Sequence, residues 1–436
     1  MRKIPYWGFW ALLIYMPFHI FLSQSLSLAT GGLETWKVAK DVVLAILTVF
    51  TVCLVWQQRR GNKLFNWLVV LGALYGLLHF GVWVANPDIF GKSAILGLVY
   101  NTRLPCFLVL GYGAALLNPG KFVFSLVFKV VLGVSTVVAL LGVLQYFLPK
   151  DLLTHAGYGL ERGTRAAFFI DDNASLPRVM STLREPNALG AYLLVPITAL
   201  VALVGTHSRR LLLGSVLLMH LAALFLTFSR SAWLATAVSV LLVIVWQYGH
   251  WFVKIWEKSW PVLVIAVVAI CAVGFLARDS SLVQHYVTHS TEEAVVDLDS
   301  NDYHQLFIEQ ALSGIANEPL GHGPGTAGLA SIHNPAGGQL TENYYLQVAY
   351  EVGLIGLIVF LAINTVVYLR LWRRHDTLGA ILLASFWGYV VTNMLLHTWS
   401  NEAVAAQWWL LAGIGMLPVL TQSSGKSAST KTHATS

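Results

Sequence analysis

The chain has 436 residues, 56% of them hydrophobic and only 11% charged, with a formal net charge of +6. Its mean hydropathy is +0.66; a soluble domain carries about 25% charged residues, so a disordered chain, a coiled coil and an ordinary cytosolic enzyme are excluded. The 27 Lys and Arg are scattered through short loops, which argues against a nucleic-acid surface and makes them topology signals.

A bilayer-crossing helix needs roughly 20 apolar residues. On that basis the sequence predicts an all-α polytopic membrane protein with about 12 transmembrane helices. The predicted spans are 5–25, 38–56, 64–85, 94–117, 121–148, 187–205, 210–228, 231–248, 260–277, 343–369, 378–396 and 403–420. They are too long, and alternate too little, to be barrel strands. The first run follows Met1-Arg2-Lys3 and is long enough to be a retained first helix rather than a signal peptide. Cys53, Cys106 and Cys271 all fall in apolar runs and make neither a disulfide framework nor a zinc spacing. Residues 1–421 form one transmembrane domain, and 422–436 read as a disordered cytoplasmic tail.

Alternating spans put Arg2/Lys3, Arg59/Arg60/Lys63, Lys121, Arg209/Arg210, Lys254/Lys258 and Arg370/Arg373/Arg374 on one side, which the positive-inside rule makes the cytoplasm. Both termini then lie inside. Two loops too long for connectors lie outside. The first, 149–186, holds five basic and five acidic residues; the second, 278–342, holds nine acidic residues against Arg278. Asn301–Ser313 has helical character, and Asn317–Gly338 is rich in Gly and Pro.

Arginine beside an apolar span is costly and therefore a functional candidate. Arg230 sits in Phe228-Ser229-Arg230-Ser231-Ala232, Arg184 in Thr182-Leu183-Arg184-Glu185-Pro186-Asn187, and Arg103 midway along the fourth span. A guanidinium binds phosphate bidentately, whereas the bland alternative is an arginine that snorkels to the interface. Gly321-His322-Gly323-Pro324-Gly325 lacks the strand and helix of a nucleotide loop, so its glycines are read as tight turns. Asp297–Asp302 starts like a calcium loop but has Ile308 where the bidentate Glu belongs. His285, His289, His304, His322 and His333 match no metal spacing, and no metal or other cofactor is expected. Glu342-Asn343 stands at the outer end of the tenth span. There Glu342 is placed either to deprotonate a hydroxyl or to sit at the positive end of the helix dipole. Glu351, roughly 13 Å deeper on the same helix, reads as a buried structural acid.

Three pieces in this order resemble the O-antigen ligase and polysaccharide polymerase family: Arg184-Glu185-Pro186-Asn187, Phe228-Ser229-Arg230-Ser231-Ala232, and Pro319-Leu320-Gly321-His322-Gly323 followed by Glu342-Asn343 and Gly353-Leu354-Ile355-Gly356. The resemblance implies a GT-C-like, metal-independent glycosyl transferase of the bacterial plasma membrane with its active site outside. Its donor would be a glycan on undecaprenyl pyrophosphate. Its acceptor would be a glycan or lipid A core hydroxyl, and membrane lipids would be its surroundings. The resemblance maps the family's pyrophosphate arginines onto Arg230 and Arg184; Glu342 is the candidate base, and Arg178, Asn187 and Asn343 are further substrate-binding candidates. Family ligases carry His where Glu342 stands, which shifts the balance toward a polymerase; Tyr303-His304 stands where an Arg is frequent. A transporter or flippase of lipid-linked glycan would show paired halves with matching broken helices, and the sequence shows none. A non-catalytic scaffold or sensor, with structural arginines, is the other rival.

This topology puts 149–186 and 278–342 outside and Arg59–Lys63 and Arg370–Arg374 inside. In a cysteine-free background, a single cysteine at Ser290 should react with an impermeant maleimide on intact cells. Protection until lysis would invert the topology.

Overall fold

In hydrocarbon the backbone must satisfy its own hydrogen bonds, so apolar runs of spanning length become helices. A computed structural model describes residues 1–89, 91–170, 173–205, 208–249, 300–335 and 337–418. The predicted ninth span, 260–277, the acidic stretch to 299 and the tail lie outside these residues. Helix α1 (Lys3–Tyr15) runs through a 3-10 turn at Met16–Phe18 into α2 (His19–Thr30); Pro17 removes a backbone donor at this break. Then come α3 (Leu33–Gln57), α4 (Lys63–Ala85), α5 (Gly91–Leu117) and α6 (Phe124–Phe147). After the first large loop follow α7 (Pro186–Val204), α8 (Arg210–Leu226) and α9 (Arg230–Gly249). The last four are α10 (Ser300–Asn317), α11 (Tyr344–Trp372), α12 (Thr377–Leu395) and α13 (Glu402–Gly415).

Among the described residues nine helices, counting α1 and α2 as one, are long and apolar enough to cross a membrane. Helix α8 is apolar but shorter. The predicted twelfth span, 403–420, corresponds to α13, which has only 14 residues. At 1.5 Å per residue α13 rises about 21 Å, less than the roughly 30 Å hydrocarbon core. It is instead a central core helix, buried from Ala403 to Gly415. It lies against α5 at backbone contact: a Cβ on Gly111 would stand 2.5 Å from the Leu410 carbonyl oxygen. The first large loop adds a small departure from the all-α expectation. Strands β1 (Phe168–Ile170) and β2 (Asn173–Arg178) pair antiparallel with Phe168 opposite Arg178. Arg162 ties this loop to α2 by donating to Gln24 Oε1 at 3.1 Å and to the Gln24 carbonyl at 3.1 Å.

Two clefts gather the polar residues that border the apolar helices. Lys63, Arg370, Arg373 and Arg374 line one cleft at one end of the bundle. Gly163 and Arg184 of the first loop and His333 of the second line another.

Arg103 does not snorkel. It is 2% exposed, its guanidinium lies 3.6 Å from Glu402 and 4.8 Å from the Tyr100 ring, and it donates to the Ser400 carbonyl. It therefore ties α5 to the connection between α12 and α13. Removing one member of a buried pair leaves the other charge uncompensated, at about 3–5 kcal/mol. Arg103→Met should lower the melting temperature in detergent sharply, and Arg103→Met/Glu402→Gln should recover most of the loss. A double variant no more stable than the single would show that the pair is not the tie.

Candidate functional site

The segment before α7 is clamped by α6 and by the 3-10 turn between α1 and α2. Gln145 of α6 accepts from the Met180 and Ser181 amides at 3.0 and 2.8 Å. Ser181 Oγ donates to the Val138 carbonyl at 2.7 Å, and Thr182 Oγ1 donates to the Pro17 carbonyl at 2.8 Å. This clamp fixes Arg184 and Glu185 where the chain enters α7. Arg178 joins the two arginine-bearing motifs. Its Nη2 donates to Asn187 Oδ1 at 2.9 Å, three residues past Arg184, and its Nε donates to the Thr227 carbonyl at 2.9 Å, three residues before Arg230. The Val179 amide adds a bond to the Leu226 carbonyl at 3.0 Å. Arg178 and Asn187 thus have a positioning part. Arg184 and Arg230 are half-buried at the starts of α7 and α9.

The start of α11 shows which of its two polar residues makes the cap bonds. Asn343 is the N-cap of α11: its Oδ1 accepts from the Tyr345 and Leu346 amides at 2.9 and 3.0 Å. Its Nδ2 donates to the Met394 carbonyl at 3.0 Å, which docks the end of α12 on the first turn of α11. Capping therefore falls to Asn343. Glu342, one residue earlier and half-buried, is held at φ 44°. Among the described residues four non-glycine residues have φ in the left-handed region, and three stand at this site: Ser181 (φ 54°), Phe228 (φ 48°) and Glu342. Strained backbone persists where surrounding structure enforces it, and functional sites are where it collects.

His397 enters from the connection between α12 and α13. Burial lowers its pKa below the ordinary histidine value; Glu185 and Glu342 pull it up, and Arg184 pushes it further down. Charges from two other segments, 184–185 and Glu342, thus bear on His397. His397 is the residue that sequence reasoning passed over. Its signal was a lone histidine at the break Leu395-Leu396-His397-Thr398, before the Ser400-Asn401-Glu402 helix start.

Glu351 supports this end from below. It is fully buried; its Oε2 accepts from Asn101 at 2.6 Å and its Oε1 from the Gly325 amide at 2.8 Å. Among the described residues no group of three or more His, Cys, Asp or Glu side chains is placed to hold a metal ion. An apolar groove of about 1120 Å³ runs between α11 and α12 from Asn343 past Leu346, Leu361 and Trp387 to Tyr368.

Residues 215–361, about a third of the chain, match the family model described as O-antigen ligase. The matched stretch contains Arg230, Glu342, Asn343 and Glu351, so over these residues the chain is similar to that family. Among curated proteins no relative matches.

A single ammonium in place of Arg178 cannot reach both Asn187 and Thr227. Arg178→Lys should therefore lose at least one charged hydrogen bond, about 1.5–3 kcal/mol of stability. Thermal unfolding in nanodiscs reads this directly, and an unchanged midpoint would remove Arg178 from the scaffold.

Proposed function

We propose that this multi-pass membrane protein belongs to the O-antigen ligase/polymerase family and moves a glycan from an undecaprenyl-pyrophosphate carrier to an acceptor hydroxyl at the loop-bearing end of its bundle. What supports this reading is that the charges of Glu342, Glu185 and Arg184 all bear on the buried His397, which brings two of the predicted site residues, Arg184 and Glu342, into one electrostatic neighbourhood. Glu342 takes the proton of the acceptor hydroxyl as that oxygen attacks the anomeric carbon. The bond from that carbon to the pyrophosphate oxygen breaks, and its electron pair leaves with the pyrophosphate. The leaving group needs positive charge rather than a proton, and Arg184 and Arg230 supply it. His397, kept neutral by burial, orients Glu342 without competing for the acceptor proton. The groove that begins at Asn343 is apolar, as a polyprenyl chain requires, with the pyrophosphate at its outer end.

The acid at position 342, where ligases of the family carry His, favours the polymerase variant of the same chemistry. Surface glycan from a deletion strain separates the two. Single-repeat products mark a polymerase, and polymer that fails to attach marks a ligase.

With purified protein and carrier-linked donor, Glu342→Gln should keep the fold and lose about 10²–10⁴-fold in rate. Arg184→Ala and Arg230→Ala should each lose roughly tenfold or more, with Lys only a partial substitute. A fully active Glu342→Gln would take Glu342 out of the mechanism.

The pH profile reports on His397. A histidine of lowered pKa stays neutral through the ordinary histidine range and takes its proton only at lower pH. Its acid limb in kcat/KM should therefore lie below about 6.5. His397→Ala should shift that limb without removing it, because protonation of the base Glu342 also cuts the rate at low pH, and a limb above the ordinary value would contradict the neutral assignment.

A further inference from the structure

At the end of α11 remote from Glu342, a cleft opens between the start of α4, the last turn of α11, the turn into α12 and the end of α13. Its volume is about 810 Å³, within the roughly 300–1,000 Å³ of small-molecule sites.

The Lys and Arg side chains that line it are Lys63, Arg370, Arg373 and Arg374, against the one carboxylate of Asp376. Arg374 is taken up by the fold. Its Nε donates to Asp376 at 2.7 Å, and its Nη1 donates to the Gly415 and Leu417 carbonyls at 3.1 and 2.8 Å. It thereby pins the end of α13 to the turn before α12 and balances Asp376. Among the described residues no carboxylate lies within ion-pair distance of Lys63, Arg370 or Arg373. Three positive charges are left on one concave surface.

Basic residues that only set topology need a loop and nothing more. Here they surround a cavity with a buried donor. Tyr112 is 1% exposed and lines the cleft. Its hydroxyl accepts from Asn62 Nδ2 at 2.9 Å, which leaves its own proton for an acceptor. Helix α4 starts at Lys63, so its positive end adds to the same field. Leu64, Met416, Leu417 and Pro418 make the remaining wall apolar. A ligand that fits has anionic acceptor oxygens at one end and hydrocarbon at the other. Arginine forks match phosphate oxygens bidentately. The cleft lies where apolar helices end, at the level of bilayer headgroups, and basic pockets between helices at that level take anionic lipid.

We propose that this cleft binds the phosphate of an anionic phospholipid. Arg370 and Arg373 grip the phosphate oxygens, Lys63 and the Tyr112 hydroxyl donate from α4 and α5, and the acyl chains leave over the apolar wall. The lipid joins α4, α5 and α11 at the end of the bundle away from Glu342. None of Arg184, Arg230, Glu342 and His397 takes part, so the site stands or falls apart from the proposed function.

Native mass spectrometry of the full chain in detergent tests the site by counting retained lipid. The probes are phosphatidylglycerol, phosphatidylcholine with the same acyl chains, and inorganic pyrophosphate. Arg370→Gln/Arg373→Gln removes both forks at exposed positions, so it perturbs folding little. Arg2→Gln/Lys3→Gln removes as much charge from exposed positions outside the cleft. Tyr112→Phe removes the buried donor alone. Wild type should hold one phosphatidylglycerol at least about tenfold more tightly than phosphatidylcholine. Arg370→Gln/Arg373→Gln and Tyr112→Phe should each weaken it about tenfold or more, and Arg2→Gln/Lys3→Gln should leave it unchanged. Equal weakening by Arg2→Gln/Lys3→Gln would reduce the effect to general surface charge and overturn the site. So would undiminished binding in Arg370→Gln/Arg373→Gln. Pyrophosphate bound through these arginines, with no preference between the two lipids, would make the ligand a soluble phosphate compound and overturn the lipid assignment.

Discussion

Helix α11 is broken at Val352–Gly353, where Gly353 takes φ 70°, and the geometry of the loop-bearing end depends on how that break is satisfied. A break frees backbone groups that lipid cannot bond. Here the segment 319–325 takes them up. The His322 amide donates to the Tyr350 carbonyl at 2.8 Å, the Gly323 amide donates to the Glu351 carbonyl at 2.9 Å, and the Pro319 carbonyl accepts from the Leu354 amide at 3.0 Å. Approach this close requires glycine on both sides: a Cβ on Gly321 would stand 2.5 Å from the Gly353 amide nitrogen. The buried Glu351 carboxylate holds the far side of the same segment through Gly325 and anchors it to α5 through Asn101. From this anchored segment the chain continues through Ile332 and His333 to Glu342.

Polar ties of this kind set the rest of the site. Arg178 joins the first loop, α7 and the junction of α8 with α9. Arg103 and Glu402 join α5 to the connection that carries His397. Burying an ion pair costs desolvation and adds little net stability. Such pairs belong where a fixed arrangement matters more than stability, and here the pair fixes that connection. The strained residues Ser181, Phe228 and Glu342 sit at the edges of these ties, where surrounding bonds hold the backbone in place.

Much of the site was legible as local pattern. Arg184, Arg230 and Glu342 stood out because charge beside an apolar run has few structural excuses, and Asn343 because an amide directly before an apolar run marks a helix start. The glycines at 321–325 were rightly read as turns rather than a nucleotide loop. Their partner, the break in α11, was not legible, because Gly353 alone does not reveal that another segment will meet it. His397 was passed over for the same reason. A lone histidine at the end of a span carries no pattern until Glu342, Arg184 and Glu185 are brought to it.

The sequence by itself determined that the chain is a helical membrane protein of many apolar spans. This follows from composition over a window of about 20 residues, set by bilayer thickness and by the demand for internal hydrogen bonding. Tertiary structure alone decided that α13 is a short core helix, that Arg103 pairs with Glu402, and that Asn343 rather than Glu342 caps α11. It also decided that Lys63, Arg370 and Arg373 border one cleft. Each of these depends on which helix faces pack together, and partners such as Asn101 and Glu351 are 250 residues apart. Hydrophobicity says that a residue is to be buried, and only packing says against what.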